Sequence, residues 1–427
     1  MENNEKWKFS YKIFFYFSFL FFGLNIFPFP LNIIPVINGF FDNLITETFW
    51  NPIIQFTGRI FFGMNEVASR PNGSGDTTWN WLQELDILII STIGIIIWAV
   101  IAKNKDNHIK INYWFNVFLR YYLVLIMLSY GFAKVFPLQF GNITTYRLYE
   151  RLGEMSPMGL LWTFMAYSQG YQFFGGIAEV IGGLLLLFRR TTTLGAMICV
   201  GVLINIFALN VFYDVPVKIY SFLLLLIGIY LITGDFNRLW NFFVLNQPTE
   251  PKEIPVFSDK KMFKIGRIIL KSFFIVGICG MMFYENWQQS KDIDLPKTAI
   301  YGPYKVEKFE RSNAISENDT LRWQEVFIDR RGPYDMLFAT NESGLRTRIS
   351  YKINRKTRQF FMTDYTSANM DTTHYAFSYI QADSSSLSLV GKFKNDSMKV
   401  YMKKMTRNDF LLNSRGFHWI NEFPFNK

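Results

Sequence analysis

The chain has 427 residues, of which 50% are hydrophobic and 19% aromatic, with a formal net charge of +10 and a mean hydropathy of +0.11. Repeated apolar runs near twenty residues long exclude a single soluble domain and define a polytopic membrane protein, with the lipid bilayer as its first partner. The basic residues do not cluster with aromatics in any soluble stretch, so the positive charge reads as membrane-orienting charge and not as a nucleic-acid surface.

Seven spans are expected, at about 10–30, 86–102, 115–136, 170–188, 194–213, 216–233 and 266–284. The first follows Lys6, Lys8 and Lys12 as a signal peptide would. Its apolar run is long and ends in Asn25-Ile-Phe-Pro-Phe-Pro30 without a small-residue cleavage site, so it is expected to stay as an anchor. Residues 39–64 mix aromatics with charges, which suits a helix lying at the interface. Residues 156–168 are too short to span and read as an interfacial or re-entrant helix starting at Pro157.

Lysine and arginine concentrate at 103–112, at Arg189-Arg190 and at 234–265, while the opposite loops are poorer in cations. By the positive-inside rule the amino terminus is cytoplasmic and the tail from Glu285 is exported. The expected organisation is N-terminal helices over 1–114, a four-helix core over 115–235, a proline-bearing cytoplasmic linker over 236–265, a last span over 266–285, and an exported β domain over 286–427.

Within that tail the hydrophobic pattern switches to period two. Strands are expected at 304–309, 322–328, 335–339, 346–352, 359–362, 375–379, 386–390 and 399–402, separated by turn signals such as Asn341-Glu-Ser-Gly344. The fold class is thus an α-helical membrane bundle followed by an antiparallel β-sandwich or small barrel. Pattern alone does not separate those two.

Glu179 lies at the centre of an apolar run, Phe173 to Phe188, where an acid costs roughly 2.5–3.5 kcal/mol on insertion scales. Gly176, Glu179 and Gly183 share one helical face, so small residues let another helix approach and the acid faces the bundle interior. In the preceding span Tyr130 and Lys134 are four apart and share a face. Tyr171 stands at the mouth of the Glu179 helix. Asn205 and Asn210 follow in the next span, and Asp214 and Lys218 flank the turn after it. These groups all fall in the exported half of the bundle. They fit either an outward-facing polar pocket or an internal network that fixes helix register. Arg120, near the other end of its span, reads as an interfacial anchor.

Metal and cofactor chemistry finds little support. Cys199 and Cys279 lie in apolar runs and form no C-x-x-C, which excludes a disulfide framework, an iron–sulfur cluster or a zinc ribbon built from this chain. His108, His374 and His418 lie outside the runs, which excludes an intramembrane bis-histidine haem or copper centre. No metal site is expected and no cofactor motif is evident. At the carboxyl terminus Arg415, His418 and Glu422 form either a binding edge or a clasp holding the last segment on the sheet.

Arg120, Gly131-Phe-Ala-Lys134, Gly176-Ile-Ala-Glu179-Val-Ile-Gly-Gly183 and Arg190-Thr191 carry a resemblance over 115–235 to the DoxX family of four-helix membrane proteins. The whole chain looks like a long variant of the Bacteroidetes type, with two extra spans before, one after and a β tail. The resemblance implies a link to quinone or to redox partners in the membrane. It implies an accessory or anchoring subunit with a membrane or periplasmic protein partner, and a bound quinone as the cofactor to look for. A non-enzymatic envelope protein whose β domain binds a partner, peptide or lipid is the competing expectation. A small-solute or lipid transporter is the third, and no inverted repeat supports it.

Overall fold

The computed structural model describes residues 6–31, 44–68, 72–103, 105–251, 261–293, 300–312, 322–331, 334–341, 344, 346–354, 356–364, 374–393 and 396–426. It divides into two compact units, Met1–Gly141 with Ser156–Ser290, and Asn142–Met155 with Lys291–Lys427.

The first unit is helical. In chain order its helices are α1 (Phe9–Ile26), α2 (Asn51–Phe62, preceded by a π-helical turn Leu44–Trp50), α3 (Thr78–Ile101) and α4 (Ile109–Val135). The second unit's α5 (Thr145–Tyr149) comes next, and then α6 (Pro157–Tyr167), α7 (Gln169–Leu186), α8 (Thr192–Phe212) and α9 (Lys218–Thr233) continue the helical unit. It ends with α10 (Phe236–Phe243), α11 (Lys261–Ser272) and, through a π-helical stretch, α12 (Gly280–Ile293). A helix therefore stands at each of the seven expected spans. By length and apolarity five qualify among the described residues: α1, α3, α4, α8 and the continuous Lys261–Lys291. The α9–α10 pair, bent by 78°, makes a sixth if counted as one span. The buried carboxylate and the glutamines of α7 dilute its hydropathy, so the seventh expected span does not meet the same measure.

Several boundaries differ from the expectation. Helix α3 starts at Thr78, eight residues before the expected span. Thr77 accepts from the backbone N–H of Asn80 while the Asn80 side chain caps Thr77, a reciprocal capping box. The expected interfacial segment 39–64 is helical from Leu44, and its residues 39–43 lie outside the described residues. Ser156 accepts from Gly159 N–H and Pro157 occupies the first turn, which starts α6 where proline costs no hydrogen bond. The segment expected as linker holds the short helix α10.

The second unit is an eight-stranded antiparallel barrel. Its strands are β1 (Gly302–Arg311), β2 (Trp323–Arg331), β3 (Tyr334–Asn341), β4 (Arg346–Asn354), β5 (Gln359–Asp364), β6 (His374–Gln381), β7 (Ser386–Phe393) and β8 (Asp396–Lys404). Each pairs with the next, and β8 pairs back onto β1. All eight expected strands are present, and closure decides for barrel over sandwich. Alternation sets the inside: in β8, Met398, Val400 and Met402 are buried while Lys399, Tyr401 and Lys403 are exposed. Trp323, Tyr304, Phe360, Phe377 and Phe393 are among the most completely buried side chains. An eight-strand barrel is just wide enough for side chains to fill, and these aromatics supply the volume. At the closing seam Arg311 of β1 donates from Nε to Asp396 of β8 at 2.6 Å.

The barrel unit takes in a piece of chain expected within the helical core. Segment 142–155 leaves the helical unit at Gly141 and re-enters it at Ser156. The outward faces of β2 and β3 carry Phe327, Met336 and Phe338, which would otherwise lie bare, and Tyr149 covers them with its ring 4.3 Å from that of Phe327. The Tyr149 ring also meets Phe410 edge-on at 4.7 Å. Burial, with Glu325 and Asp409 nearby, pushes the Tyr149 hydroxyl well above the ordinary tyrosine value.

Candidate functional site

Helices α4 and α7 meet through glycine. A Cβ built on Gly176 would lie 2.7 Å from the Gly131 carbonyl oxygen and 2.8 Å from both Lys134 Cβ and Val135 N. A Cβ on Gly131 would fall 2.7 Å from Val180 Cγ2. On another face of α7, Gly182 gives its space to Cys199 Sγ of α8. Small residues let backbones close without hydrophobic driving force between helices.

That approach brings Lys134 Nζ within 2.7 Å of Glu179 Oε1. Both charges are enclosed, with Glu179 2% exposed and Lys134 7%, and Gln172, two turns before Glu179 on α7, is fully buried. Coulombic attraction in such surroundings is many times that in water, and it offsets part of the cost of placing both charges there. Lys134 Nζ also stands 5.6 Å from the Tyr130 ring centroid. Two buried side-chain acceptors of α7 remain open. Glu179 Oε2 and Gln172 Oε1 are buried without a hydrogen-bond partner among the described residues. The Gln172 amide donates from its nitrogen to the Gly141 carbonyl at 2.9 Å.

The other sequence candidates divide. Tyr130 and Tyr171 are half-exposed, and Tyr171 packs its ring against Phe164 and Phe174. Asn205 is exposed, whereas Asn210 is buried and accepts through its carbonyl from Val215 N–H. Asp214 and Lys218 pair with each other at 2.8 Å, and Lys218 also meets Asp76 at 3.6 Å. Asp76 accepts from the backbone N–H groups of Lys218 and Ile219 at 2.8 and 3.0 Å, so it caps α9. Asp214 and Lys218 thus belong to a helix-capping cluster organised by Asp76, which lies just before α3. The signal was the turn-forming run Asn72-Gly-Ser-Gly-Asp76. A second overlooked acid is Asp86, buried in α3 and accepting from Thr57 at 2.6 Å.

In the barrel unit Arg415 and His418 line an open pocket of about 380 Å³, together with Phe417, Asn421 and Phe425. The Arg415 guanidinium lies 4.4 Å from the Phe425 ring and bonds Asn421, whose amide donates to the His418 carbonyl. Glu422 is exposed and does not line that pocket. Among the described residues no group of three metal-ligating side chains converges.

Fold and site together define a multi-pass membrane protein whose helical unit encloses a lysine–glutamate pair and whose C-terminal unit is a closed β-barrel. Over 135 residues, covering 32% of this chain and 85% of the relative, the sequence is 30% identical to the uncharacterized protein YwoB of Bacillus subtilis (strain 168). The chain belongs to the family of that protein. No family model matches the chain. No solved structure matches it.

Proposed function

We propose that the chain is a DoxX-type inner-membrane subunit, its amino terminus cytoplasmic and its barrel periplasmic, which holds a quinone or a similar small hydrophobic ligand beside Glu179 and Lys134. The observation that carries the reading is the buried ion pair with two acceptors left open, Glu179 Oε2 and Gln172 Oε1. A hydroquinone has two O–H donors to offer such acceptors, and a quinone carbonyl accepts from an ammonium. A carboxylate–ammonium pair out of water is also a ready place to take up or release a proton with the ligand's redox state. The cation distribution supports the orientation.

The test is co-purification. The full chain is solubilised in mild detergent, and lipids extracted from wild type and from Glu179→Gln are analysed for isoprenoid quinones. The reading requires quinone in the wild-type extract and a marked loss in the variant. Extracts free of quinone, together with unchanged quinone reduction in membranes of a deletion strain, would sink it.

A second reading rests on the carboxyl terminus. Phe417, Trp419, Ile420 and Phe423 stand exposed beside the Arg415–His418 pocket. A run of bare aromatics marks a surface that binds something. On this reading the helices anchor the barrel, and the barrel binds an envelope protein, peptide or lipid. A photo-crosslinker at Trp419 that recovers the same abundant neighbours as one at Lys399 would count against it.

A further inference from the structure

Among the described residues, four cations without carboxylate partners gather at the α4–α7–α11 contact. Arg120 comes from α4, Arg189 from the turn between α7 and α8, and Arg267 and Lys271 from α11. The charges of Arg120, Arg189 and Arg267 all act on the Lys271 ammonium, and that of Arg189 acts on Arg120. Among the described residues none of the four forms an ion pair with a carboxylate. Asp235, a buried acid at the α9–α10 bend, is engaged by Thr193 and Arg238.

Aromatic rings hold the cations in place of counterions. Lys271 Nζ sits 4.0 Å from the Phe188 ring centroid, the Arg189 guanidinium 5.2 Å from that of Tyr113, and the Arg120 guanidinium 5.1 Å from that of Tyr121. Arg189 also donates to the Tyr113 hydroxyl. The Phe274 ring, three residues beyond Lys271, packs edge-on against Tyr121 at 4.7 Å, which seats the last span on α4.

Arg120 supplies the second, independent observation. It is 8% exposed, and a terminal nitrogen donates to Thr192 Oγ1 at 3.2 Å, with the Tyr121 hydroxyl as a further side-chain partner. Its Nε is buried with no hydrogen-bond partner among the described residues. A guanidinium offers its donors as a fork matched to a phosphate or carboxylate, so an idle buried Nε–H beside a like-charged neighbour is a place prepared for an oxyanion.

We propose that Arg120, Arg189 and Lys271, with Arg267 at the rim, bind a phosphate oxyanion, supplied by an anionic phospholipid head group or by free phosphate. Cationic pockets between membrane helices take head groups in this way, because the anion relieves the mutual repulsion and the acyl chains lie along the adjoining apolar helix faces. The outer face of α11 is apolar beside the site, with Ile268, Ile269 and Leu270 exposed. The site is separate from the Lys134–Glu179 pair and does not rest on it.

The test uses the full chain in detergent and in nanodiscs of phosphatidylcholine with or without phosphatidylglycerol. Native mass spectrometry is read for retained lipid, and thermal stability is read in detergent with added inorganic phosphate. Retention of phosphatidylglycerol over phosphatidylcholine is expected, weakened about fivefold by Arg189→Gln and by Lys271→Gln, since each cation near an anionic surface contributes about that factor. A phosphate-dependent thermal shift in lipid-free detergent, lost in the same variants, would assign the site to the free anion. Equal retention of both lipids, or unchanged phosphatidylglycerol retention in both variants without any phosphate shift, overturns the proposal. Arg189 and Lys271 are chosen because they are less enclosed than Arg120, so their variants keep the helix packing intact.

Discussion

Lys134 Nζ and Glu179 Oε1 lie 2.7 Å apart across two helices whose backbones touch at Gly131 and Gly176. The pair is a consequence of the glycines. With larger residues there, α4 and α7 would stand apart, and each charge would need another partner or a neutral form. Removing one partner of a buried pair leaves the other uncompensated, at a cost of about 3–5 kcal/mol. Lys134→Met and Glu179→Leu are each expected to destabilise the detergent-solubilised protein by that order. The double variant is expected to recover much of the loss. A thermal-unfolding double-mutant cycle reads the coupling, and additive losses would mean that the two charges are independent.

The glycine contact makes its own prediction. Gly176→Ala pushes a methyl into the Gly131 carbonyl and Val135 N, atoms of backbone that cannot swing aside. Overpacking of this kind costs about 1–3 kcal/mol. Gly175→Ala meets nothing within 4 Å and is expected to be neutral to within about 1 kcal/mol. If the two alanines melt alike, the close approach of α4 and α7 is wrong.

Asp76 caps α9 from a distant loop. Asp76→Ala removes acceptors from two backbone N–H groups and a partner from Lys218, with an expected loss of about 0.5–2 kcal/mol. Asp76→Asn keeps an acceptor oxygen and is expected to retain most of the stability. Hydrogen exchange at Lys218 and Ile219 reads the cap locally, and unchanged protection in the alanine variant would remove it.

The β6–β7 turn carries a pH signature. Hydrogen bonds from Ser385 and Ser386, side chain and backbone, hold the Asp383 carboxyl down to about 2 from an ordinary 3.8. A depressed carboxyl favours the folded state while ionised. Its contribution is therefore complete above the unfolded value and is lost as pH falls through the folded one. Wild type is expected to melt above Asp383→Asn at neutral pH, and the gap is expected to close between pH 3.8 and about 2. A gap constant across that window would show that the carboxylate is not engaged.

The eight strands were legible because period-two alternation and turn residues are local signals, and each strand carries its own. Closure was not local. It depends on β1 meeting β8, with Arg311 and Asp396 joined across 85 residues. The tie of segment 142–155 to the barrel was equally hidden, since Tyr149 carries no pattern that names Phe327 as its neighbour. The polar cluster was half legible. Glu179 and Lys134 announced themselves by the cost of a charge in an apolar run, but sequence placed Asp214 and Lys218 with them. Asp76 draws those two elsewhere, because an exposed helix start needs an acceptor and a loop aspartate supplies it.

By itself the sequence determined what each segment must do with its own surroundings: apolar runs enter lipid, alternating runs form strands, and a buried acid needs a partner. Tertiary structure alone decided who the partners are. Glycine-permitted contact gave Glu179 to Lys134, and ring closure made a barrel of the strands. The meeting of three segments brought Arg120, Arg189 and Lys271 together with no ion-pair partner among the described residues. Burial costs are properties of single residues and can be read along a chain, whereas pairing depends on distances between residues that only the folded backbone sets.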